Sequence, residues 1–269
     1  MMNAQMNAVK TRREKDSIGA KDIPGDVYYG IQTMRAAENF SITGLTMHPE
    51  IISGIVQIKK AAAMTNYEVG RLDQRRTDAI VRACDEILAG KLRDQFIVDP
   101  IQGGAGTSLN MNANEVIANR AIELLGGEKG DYTLVNPNDH VNYAQSTNDV
   151  FPSCGRISTV KLLKKAVLAL ERLNQALAEK ADEFDTVIKM GRTQLQDAVP
   201  IRLGQEFRAY SVAIRRDIAR FAYGQQEGNA LLKPWRNGDR YRPECGCPIP
   251  SKGCAKYCPD YGAGFGTGP

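Results

Sequence analysis

The stretch that decides the fold is residues 157–184, ISTVKLLKKAVLALERLNQALAEKADEF. Its apolar side chains recur at helical spacing, at Ile157, Val160, Leu163, Val167, Leu170, Leu173, Leu177, Ala181 and Phe184. The stretch contains neither glycine nor proline, and it predicts one continuous helix that begins near Pro152 and extends for more than ~45 Å at 1.5 Å per residue. Because such length is typical of a helical bundle, the sequence predicts a mainly α fold.

A polar run, Gln145–Asp149 (QSTND), interrupts the chain just before this helix. Two similar runs, residues 103–108 (GGAGTS) and 191–197 (GRTQLQD), also precede helical patterns. A helix N-terminus presents unpaired backbone N–H groups and the positive end of the helix dipole. We therefore expect three donor-rich loops that open onto helix N-termini and together bind a small anion.

Further helices are predicted on both sides of these loops. The spacing of apolar residues predicts helices over Pro49–Val69 and from about Asp73 to Leu88, and a second long helix from about Leu203 to Phe221. The two long helices cannot bury all of their apolar faces against each other. They therefore require partner helices from elsewhere in the chain or from other subunits.

Several polar residues allow more than one interpretation. Asn110, Asn112 and Asn114 stand early in another predicted helix, where they either hydrogen-bond a specific group or serve in capping and helix–helix contacts. His140 is expected to order its loop by hydrogen bonding rather than to act as a general base. His48 is expected to mark the entry to a helix.

Size, charge and composition limit the class of protein to which the chain can belong. With 269 residues, of which 42% are hydrophobic and 25% charged, the chain can bury the core of one large or two ordinary domains. The net charge of +4 is small and basic residues are scattered among acidic ones, so neither a nucleic-acid-binding nor a membrane-binding surface is indicated. No apolar run reaches the ~18–20 residues of a membrane span and no secretion signal is evident, so the expected location is the cytoplasm.

The six cysteines are unevenly placed. Cys84 and Cys154 lie singly in helical sequence, and Cys84 is expected to be a packed core thiol. The others crowd the last stretch, at Cys245, Cys247, Cys254 and Cys258. This tail could bind zinc, although its spacing fits no common structural zinc pattern.

A frameshift is a second interpretation of the tail. The helical pattern ends near Gly224, and the codons permitted from Lys233 onward, regrouped in another frame, allow NLGGTAIGTGLNADA. Because few amino acids are allowed at each position, fifteen consecutive agreements are unlikely by accident. We therefore expect residues 225–269 to be an out-of-frame, irregular tail that follows a shift between about Phe221 and Lys233.

The motifs resemble one known family, the aspartase/fumarase superfamily, over residues 16–220. They are the IP of residues 23–24 with YYG at 28–30, QGGAGTS at 102–108 with NMN at 110–112, NPNDHVN at 136–142, QSTND at 145–149 and KMGRTQLQDA at 189–198. The resemblance is strongest to the aspartate ammonia-lyase branch, because fumarases usually carry histidine where this chain has Gln194. Fumarate hydration is the alternative activity.

The resemblance implies conversion of L-aspartate to fumarate and ammonia. Removal of a proton beside a carboxylate places negative charge on that carboxylate, and each fixed donor that meets this charge lowers the barrier by ~3–4 kcal/mol. By resemblance the substrate's β-carboxylate is held by Thr107, Ser146 and Thr147, its amino group by Asn148 and Gln194, and its α-carboxylate by Thr193. The alternative for Ser146 or Thr147 is a helix cap, which stabilises by ~0.5–2 kcal/mol.

The resemblance also implies a domain order and an assembly. We expect a disordered N-terminus at residues 1–15, an N-terminal lyase domain at 16–145 and the first long helices of a central helical bundle at 146–224. The full-length family forms homotetramers, and no cofactor or metal is expected. Its catalytic serine, on a Gly-Ser-Ser loop, is not in this sequence, so this chain alone is expected to be inactive. A non-catalytic helical partner of the full-length enzyme is the further alternative.

Overall fold

The computed structural model describes residues 11–104 and 106–230, with side chains described up to Tyr223 and Gly224. Its helices and strands, in chain order, are β1 (Thr11–Lys15), β2 (Ala20–Pro24), α1 (Ile31–Asn39), α2 (Pro49–Glu68), α3 (Gln74–Leu88), α4 (Thr107–Leu124), α5 (Thr147–Glu183), β3 (Ile188–Thr193), β4 (Gln196–Arg202) and α6 (Leu203–Ala230). The predicted mainly α fold is therefore confirmed. The chain divides into two compact units, the first ending at Ser158 and the second beginning at Thr159.

The core of the first unit lies between α2, α3 and α4. Helix α2 begins where predicted, at Pro49, because the Nδ1 atom of His48 accepts from the Glu50 amide at 3.1 Å. Helix α3 begins after Asp73, whose carboxylate accepts from the Arg76 amide at 2.9 Å. Both predicted helices and the entry role of His48 are confirmed. Cys84 is fully buried, as a core thiol should be.

The prediction of disorder for residues 1–15 is wrong for its last five residues. Thr11–Lys15 form β1, which pairs antiparallel with β2. Charged side chains of this segment have partners: Glu14 is 4% exposed and accepts from Arg12 at 2.7 Å and from the Ile31 amide at 2.9 Å. Residues 1–10 lie outside the described part of the chain.

Helix α1 is held at its start by a carboxylate from α4. Glu115 is 2% exposed and accepts from the amides of Gly30 and Gln32, each at 2.9 Å. It also accepts from the amide and the hydroxyl of Thr33, at 3.0 and 2.5 Å. These bonds satisfy the unpaired N–H groups at the start of α1, which has no side-chain cap of its own.

Helix α5 starts earlier than predicted. It begins at Thr147 rather than near Pro152, so Pro152 lies inside its second turn. A proline there removes only one helical hydrogen bond, the one that the Asn148 carbonyl would accept, so the helix continues through it. With 37 residues, α5 is about 55 Å long at 1.5 Å per residue.

The first unit also extends beyond the boundary predicted at residue 145, because the first turns of α5 pack on α2. The Ser158 hydroxyl donates to the Glu50 carbonyl at 2.7 Å. Gly54 allows this close approach, since a Cβ there would lie 2.8 Å from the Cys154 carbonyl oxygen. Residues up to Ser158 therefore belong with the first unit.

The second unit contains the rest of α5, the β3–β4 hairpin and α6. Within it, the rings of Phe184 and Phe207 lie 5.4 Å apart, and the Ser211 hydroxyl donates to the Asn174 side-chain oxygen at 2.8 Å. Large apolar side chains on both helices remain exposed, as predicted for bundle helices without all of their partners; they include Leu162, Leu168, Leu173, Tyr210 and Phe221.

The third predicted loop does not open onto a helix. Residues 191–197 form the end of β3, a tight turn and the start of β4, and α6 begins only at Leu203. Gln194 and Leu195 both have positive φ, 49° and 63°, as a two-residue hairpin turn requires. The prediction of a helix N-terminus at this motif is therefore wrong. The prediction that residues 225–269 form an irregular tail is wrong for residues 225–230, which continue α6. The rest of the predicted tail, with its four cysteines, lies outside the described residues.

Candidate active site

Two helix N-termini meet in the first unit, and the first is that of α4. Gly106 precedes the helix in the left-handed region, with φ of 85°, and its carbonyl accepts from the Asn110 amide at 3.0 Å. A Cβ at Gly106 would overlap the ring of Phe151 from α5. The glycine therefore lets the loop that carries Thr107 lie directly against the first turns of α5. The Thr107 side chain is exposed.

Ser146 caps the second N-terminus, that of α5. Its carbonyl accepts from the Val150 amide at 3.0 Å and its hydroxyl oxygen accepts from the Asn148 amide at 3.3 Å. This is the helix cap that the sequence analysis gave as the alternative role of Ser146. A hydroxyl that accepts in this way still has its own proton to donate, so the predicted substrate contact remains compatible with the cap.

Thr147 connects the two helix starts. Its hydroxyl oxygen accepts from the Asn110 side-chain amide of α4 at 3.1 Å. Asn148 follows on the exposed side of the same turn. Burial raises the pKa of Asp149, the acidic residue of this turn. The structure thus brings Thr107, Ser146, Thr147 and Asn148 to two neighbouring helix N-termini.

A buried lysine that the sequence analysis missed lies behind this site. The Lys59 ammonium donates to the side-chain oxygens of Asn142, at 2.6 Å, and Gln145, at 3.0 Å. The Asn142 oxygen also accepts from the Asn110 amide at 3.3 Å. A signal for Lys59 existed, because it stands four residues after Ile55 on the buried stripe of α2, where an unpaired charge is not expected.

The asparagines of α4 have different roles. Asn110 hydrogen-bonds at the site, whereas the Asn112 side chain donates to the Gln95 carbonyl at 2.9 Å and joins α4 to the preceding loop. The Asn114 amide approaches the Met111 sulfur at 3.6 Å. The contacts of Asn110 and Asn112 join α4 to other parts of the protein, as the second interpretation predicted; hydrogen bonding to a bound group stays a prediction.

His140 orders its own loop, as predicted. Its Nδ1 atom accepts from the Asn136 amide at 2.8 Å, while the Asn136 side chain accepts from the amides of Asn138 and Asp139. Burial, with a contribution from the Arg76 cation, lowers the pKa of His140. The ring is thereby a neutral acceptor in a structural turn.

Thr193 and Gln194 belong to the second unit. Thr193 is the last residue of β3 and Gln194 is the first residue of the turn, and both side chains are exposed. Position 191, near these two residues, is occupied by glycine because a side chain there would collide with the Val199 carbonyl on β4. The hairpin therefore presents Thr193 and Gln194 at its tip.

The structure bears on metal binding and membrane insertion for residues 11–104 and 106–230. No group of three or more histidine, cysteine, aspartate or glutamate side chains there could hold a metal ion. None of the helices described is both long enough and apolar enough to cross a membrane.

Comparison with known proteins identifies a matching family and several relatives. The profile of the family described as lyase matches residues 19–233. The chain is 59% identical over 226 residues to an aspartate ammonia-lyase of Bacillus subtilis (strain 168), covering 84% of this chain and 47% of that protein. The chain spans about half the length of the curated relatives it matches.

Solved structures match the fold. A fumarate lyase:delta crystallin of Brucella melitensis, bound to cobalt, is 52% identical with a TM-score of 0.76, and the match covers 82% of this chain and 48% of that one. A class II fumarase of Schistosoma mansoni is 39% identical with a TM-score of 0.71, over 78% of this chain and 44% of that one.

Proposed function

This chain belongs to the lyase family, and on that premise we propose that it provides the substrate-binding part of an aspartate ammonia-lyase. The reaction converts L-aspartate to fumarate and ammonia. A base removes a proton from the carbon beside the β-carboxylate, and the electron pair of the broken C–H bond moves onto that carboxylate as an aci-carboxylate. The pair then returns to form the C=C bond as the C–N bond breaks and ammonia leaves.

One observation carries the proposal: the hydrogen bond between Asn110 and Thr147 joins the N-termini of α4 and α5. The positive ends of two helix dipoles then act on the same small volume, together with neutral hydroxyl donors. Such a site suits a dianion whose negative charge increases during the reaction, because fixed donors need no rearrangement as the charge develops.

The roles within the site follow the proposal. In the first unit, Thr107, Ser146 and Thr147 hold the β-carboxylate where the two N-termini meet, and Asn148 contacts the amino group. The hairpin residues keep the roles that the resemblance implies, Gln194 at the amino group and Thr193 at the α-carboxylate. In this proposal the protein is cytoplasmic and a homotetramer, which would cover the exposed apolar side chains of α5 and α6.

Isothermal titration calorimetry with fumarate and with L-aspartate tests the binding site. We expect both ligands to bind, and we expect Thr147→Val to weaken fumarate binding about tenfold or more, because a hydrogen bond to a charged group is lost. The control is Thr133→Val, whose exposed hydroxyl hydrogen-bonds only locally, to Asp131. Equal affinity of the two variants for fumarate would exclude the proposed site.

Turnover separates the two candidate activities. Fumarate hydratase is the second candidate because of the 39% identity to the Schistosoma mansoni fumarase. Fumarate formation, followed by its ultraviolet absorbance, is measured with L-aspartate and with L-malate. We expect any fumarate to come from L-aspartate rather than from L-malate, because Gln194 stands where fumarases usually carry histidine. Turnover of malate would favour the hydratase.

A further inference from the structure

Lys59 is a fully buried cation whose hydrogen-bond partners are two neutral amides. Its side chain is 0% exposed, and its ammonium donates to Asn142 and Gln145, in the loop that leads to Ser146 and Thr147. Burying an ammonium beside neutral partners is unfavourable. A charge retained at such a position needs an explanation beyond filling the core.

The lysine determines which way the neighbouring amides face. An ammonium can only donate, so the Asn142 side chain must turn its oxygen toward Lys59. Its amide nitrogen donates instead to the Gln145 carbonyl at 3.3 Å. The orientation of Asn142 is therefore fixed from both ends.

The orientation of Asn142 also determines the orientation of the Asn110 side-chain amide. Because the Asn142 oxygen faces it at 3.3 Å, Asn110 must present its amide nitrogen rather than its oxygen. That nitrogen also donates to the Thr147 hydroxyl oxygen at 3.1 Å. Thr147 accepts from inside the protein, and its single proton must point away from Asn110.

Asn110 has this orientation although one of its side-chain atoms is left unsatisfied, as is one oxygen in each of Asn112 and Asn114. The Asn110 side-chain oxygen is buried without a hydrogen-bond partner among the described residues. A reversed amide would place this oxygen against the Asn142 oxygen, where two acceptors repel. The orientation of Asn110 therefore follows from the Asn142 oxygen, which in turn is held by Lys59.

We propose that Lys59 is a positioning residue that, through Asn142 and Asn110, makes the Thr147 hydroxyl a donor toward the substrate carboxylate. This inference rests on the proposed function, since it needs a carboxylate at Thr147. The titratable groups near the Lys59 ammonium are the thiols Cys84 of α3 and Cys154 of α5. The polarity of the site is therefore set by a residue that does not itself contact the ligand.

The test compares fumarate affinity with stability in Lys59→Met, a variant of similar length that cannot donate. We expect fumarate to bind about tenfold more weakly, the equivalent of one well-formed hydrogen bond to a charge. We expect the melting temperature to stay the same or rise, because a buried charge has been removed. Loss of stability with unchanged fumarate affinity would show a merely structural role and overturn the proposal.

A double-mutant cycle tests whether Lys59 acts through Thr147. In the Thr147→Val background, Lys59→Met should change fumarate affinity less than about twofold, because the hydroxyl it orients is already absent. Additive losses would mean that the lysine acts by another route, such as its long-range charge, and would overturn the proposal. If Lys59→Met does not fold, Asn142→Leu breaks the same connection and should give the same cycle.

A crystal structure of Lys59→Met separates this inference from the proposed function, because it needs no ligand. We expect the Asn110 and Asn142 side chains to turn and the 3.1 Å contact between Asn110 and Thr147 to be lost. An unchanged contact would overturn the inference even if fumarate binds. Failure of the wild-type chain to bind fumarate would instead count against the proposed function.

Discussion

Lys59 and Glu115 are single buried charges that the fold holds in different ways. Glu115 is surrounded by donors from the start of α1, whereas Lys59 has two amide oxygens. Burial raises the pKa of Glu115 and lowers that of Lys59. The donors around Glu115 offset the cost of burying its carboxylate, whereas two neutral amides offset less of the cost of burying the Lys59 ammonium. The two residues therefore give opposite predictions at the residue scale.

Replacing Glu115 by glutamine should destabilise the protein by about 3 kcal/mol, because an amide offers a donor to a site that contains only donors. Urea denaturation measures the difference in the free energy of unfolding. Glu123→Gln is the matched control on the same helix, where the carboxylate is 39% exposed and pairs with Arg120. That change should cost less than about 1 kcal/mol. Similar losses in the two variants would contradict the role given to Glu115.

Lys59 should make stability depend on pH. Burial lowers the pKa of Lys59 from 10.5 to about 7, so between these values the unfolded chain binds a proton that the folded chain does not. The contribution of Lys59 to stability therefore rises with pH in this window and is flat below it. Between pH 7 and pH 9 the wild-type protein should gain about 2 kcal/mol relative to Lys59→Met, as measured by urea denaturation. A difference that does not change with pH would exclude this titration.

At the scale of elements, the packing of the α4 loop on α5 decides whether the site forms. Gly106 has φ of 85° and its α-carbon faces the Phe151 ring, so an added methyl group has neither a relaxed backbone nor space. Thr107 and Thr147 lie on either side of this contact. The positions of these two helix starts are therefore coupled through one glycine.

Gly106→Ala should destabilise the protein by about 3 kcal/mol or more, because Phe151 must move as well as the backbone. Gly126→Ala is the matched control, since Gly126 also has φ of 85° but a Cβ there would meet nothing within 4 Å. It should cost only about 1–2 kcal/mol of backbone strain. Thermal unfolding of both variants measures the difference, and equal costs would mean that Phe151 moves aside freely.

At the scale of the whole molecule, the proposed homotetramer predicts that the exposed apolar side chains of the second unit contact other subunits. Leu168 and Leu173 on α5 are 56% and 46% exposed. Sedimentation velocity at micromolar concentration should show an assembly larger than one chain, because such apolar faces associate in water. The double variant Leu168→Glu with Leu173→Glu should sediment as a smaller species. Ile18→Glu, at a 77% exposed residue of the first unit, is the control and should not change the assembly. A monomeric wild-type chain would contradict the proposed tetramer.

Sequence patterns predicted α2 and α3 because their apolar stripes are regular and their starts carry Pro49 and Asp73. They did not predict the β3–β4 hairpin, since its turn residues, Gln194 and Leu195, are not those that favour positive φ. Two of the three predicted loops do open onto helix N-termini, but the polar network behind them was not predicted. That network joins Lys59 to a loop more than eighty residues away, and a local pattern contains no information on such pairing.

The buried Lys59 should also couple ligand binding to the uptake of a proton from the buffer. A dianion bound near Thr147 stabilises the protonated lysine and raises its pKa, so at neutral pH the complex takes up part of a proton that the free protein lacks. The buffer must supply that proton. The heat of fumarate binding should therefore differ between buffers of low and high ionisation enthalpy, such as phosphate and Tris, and this difference should vanish in Lys59→Met.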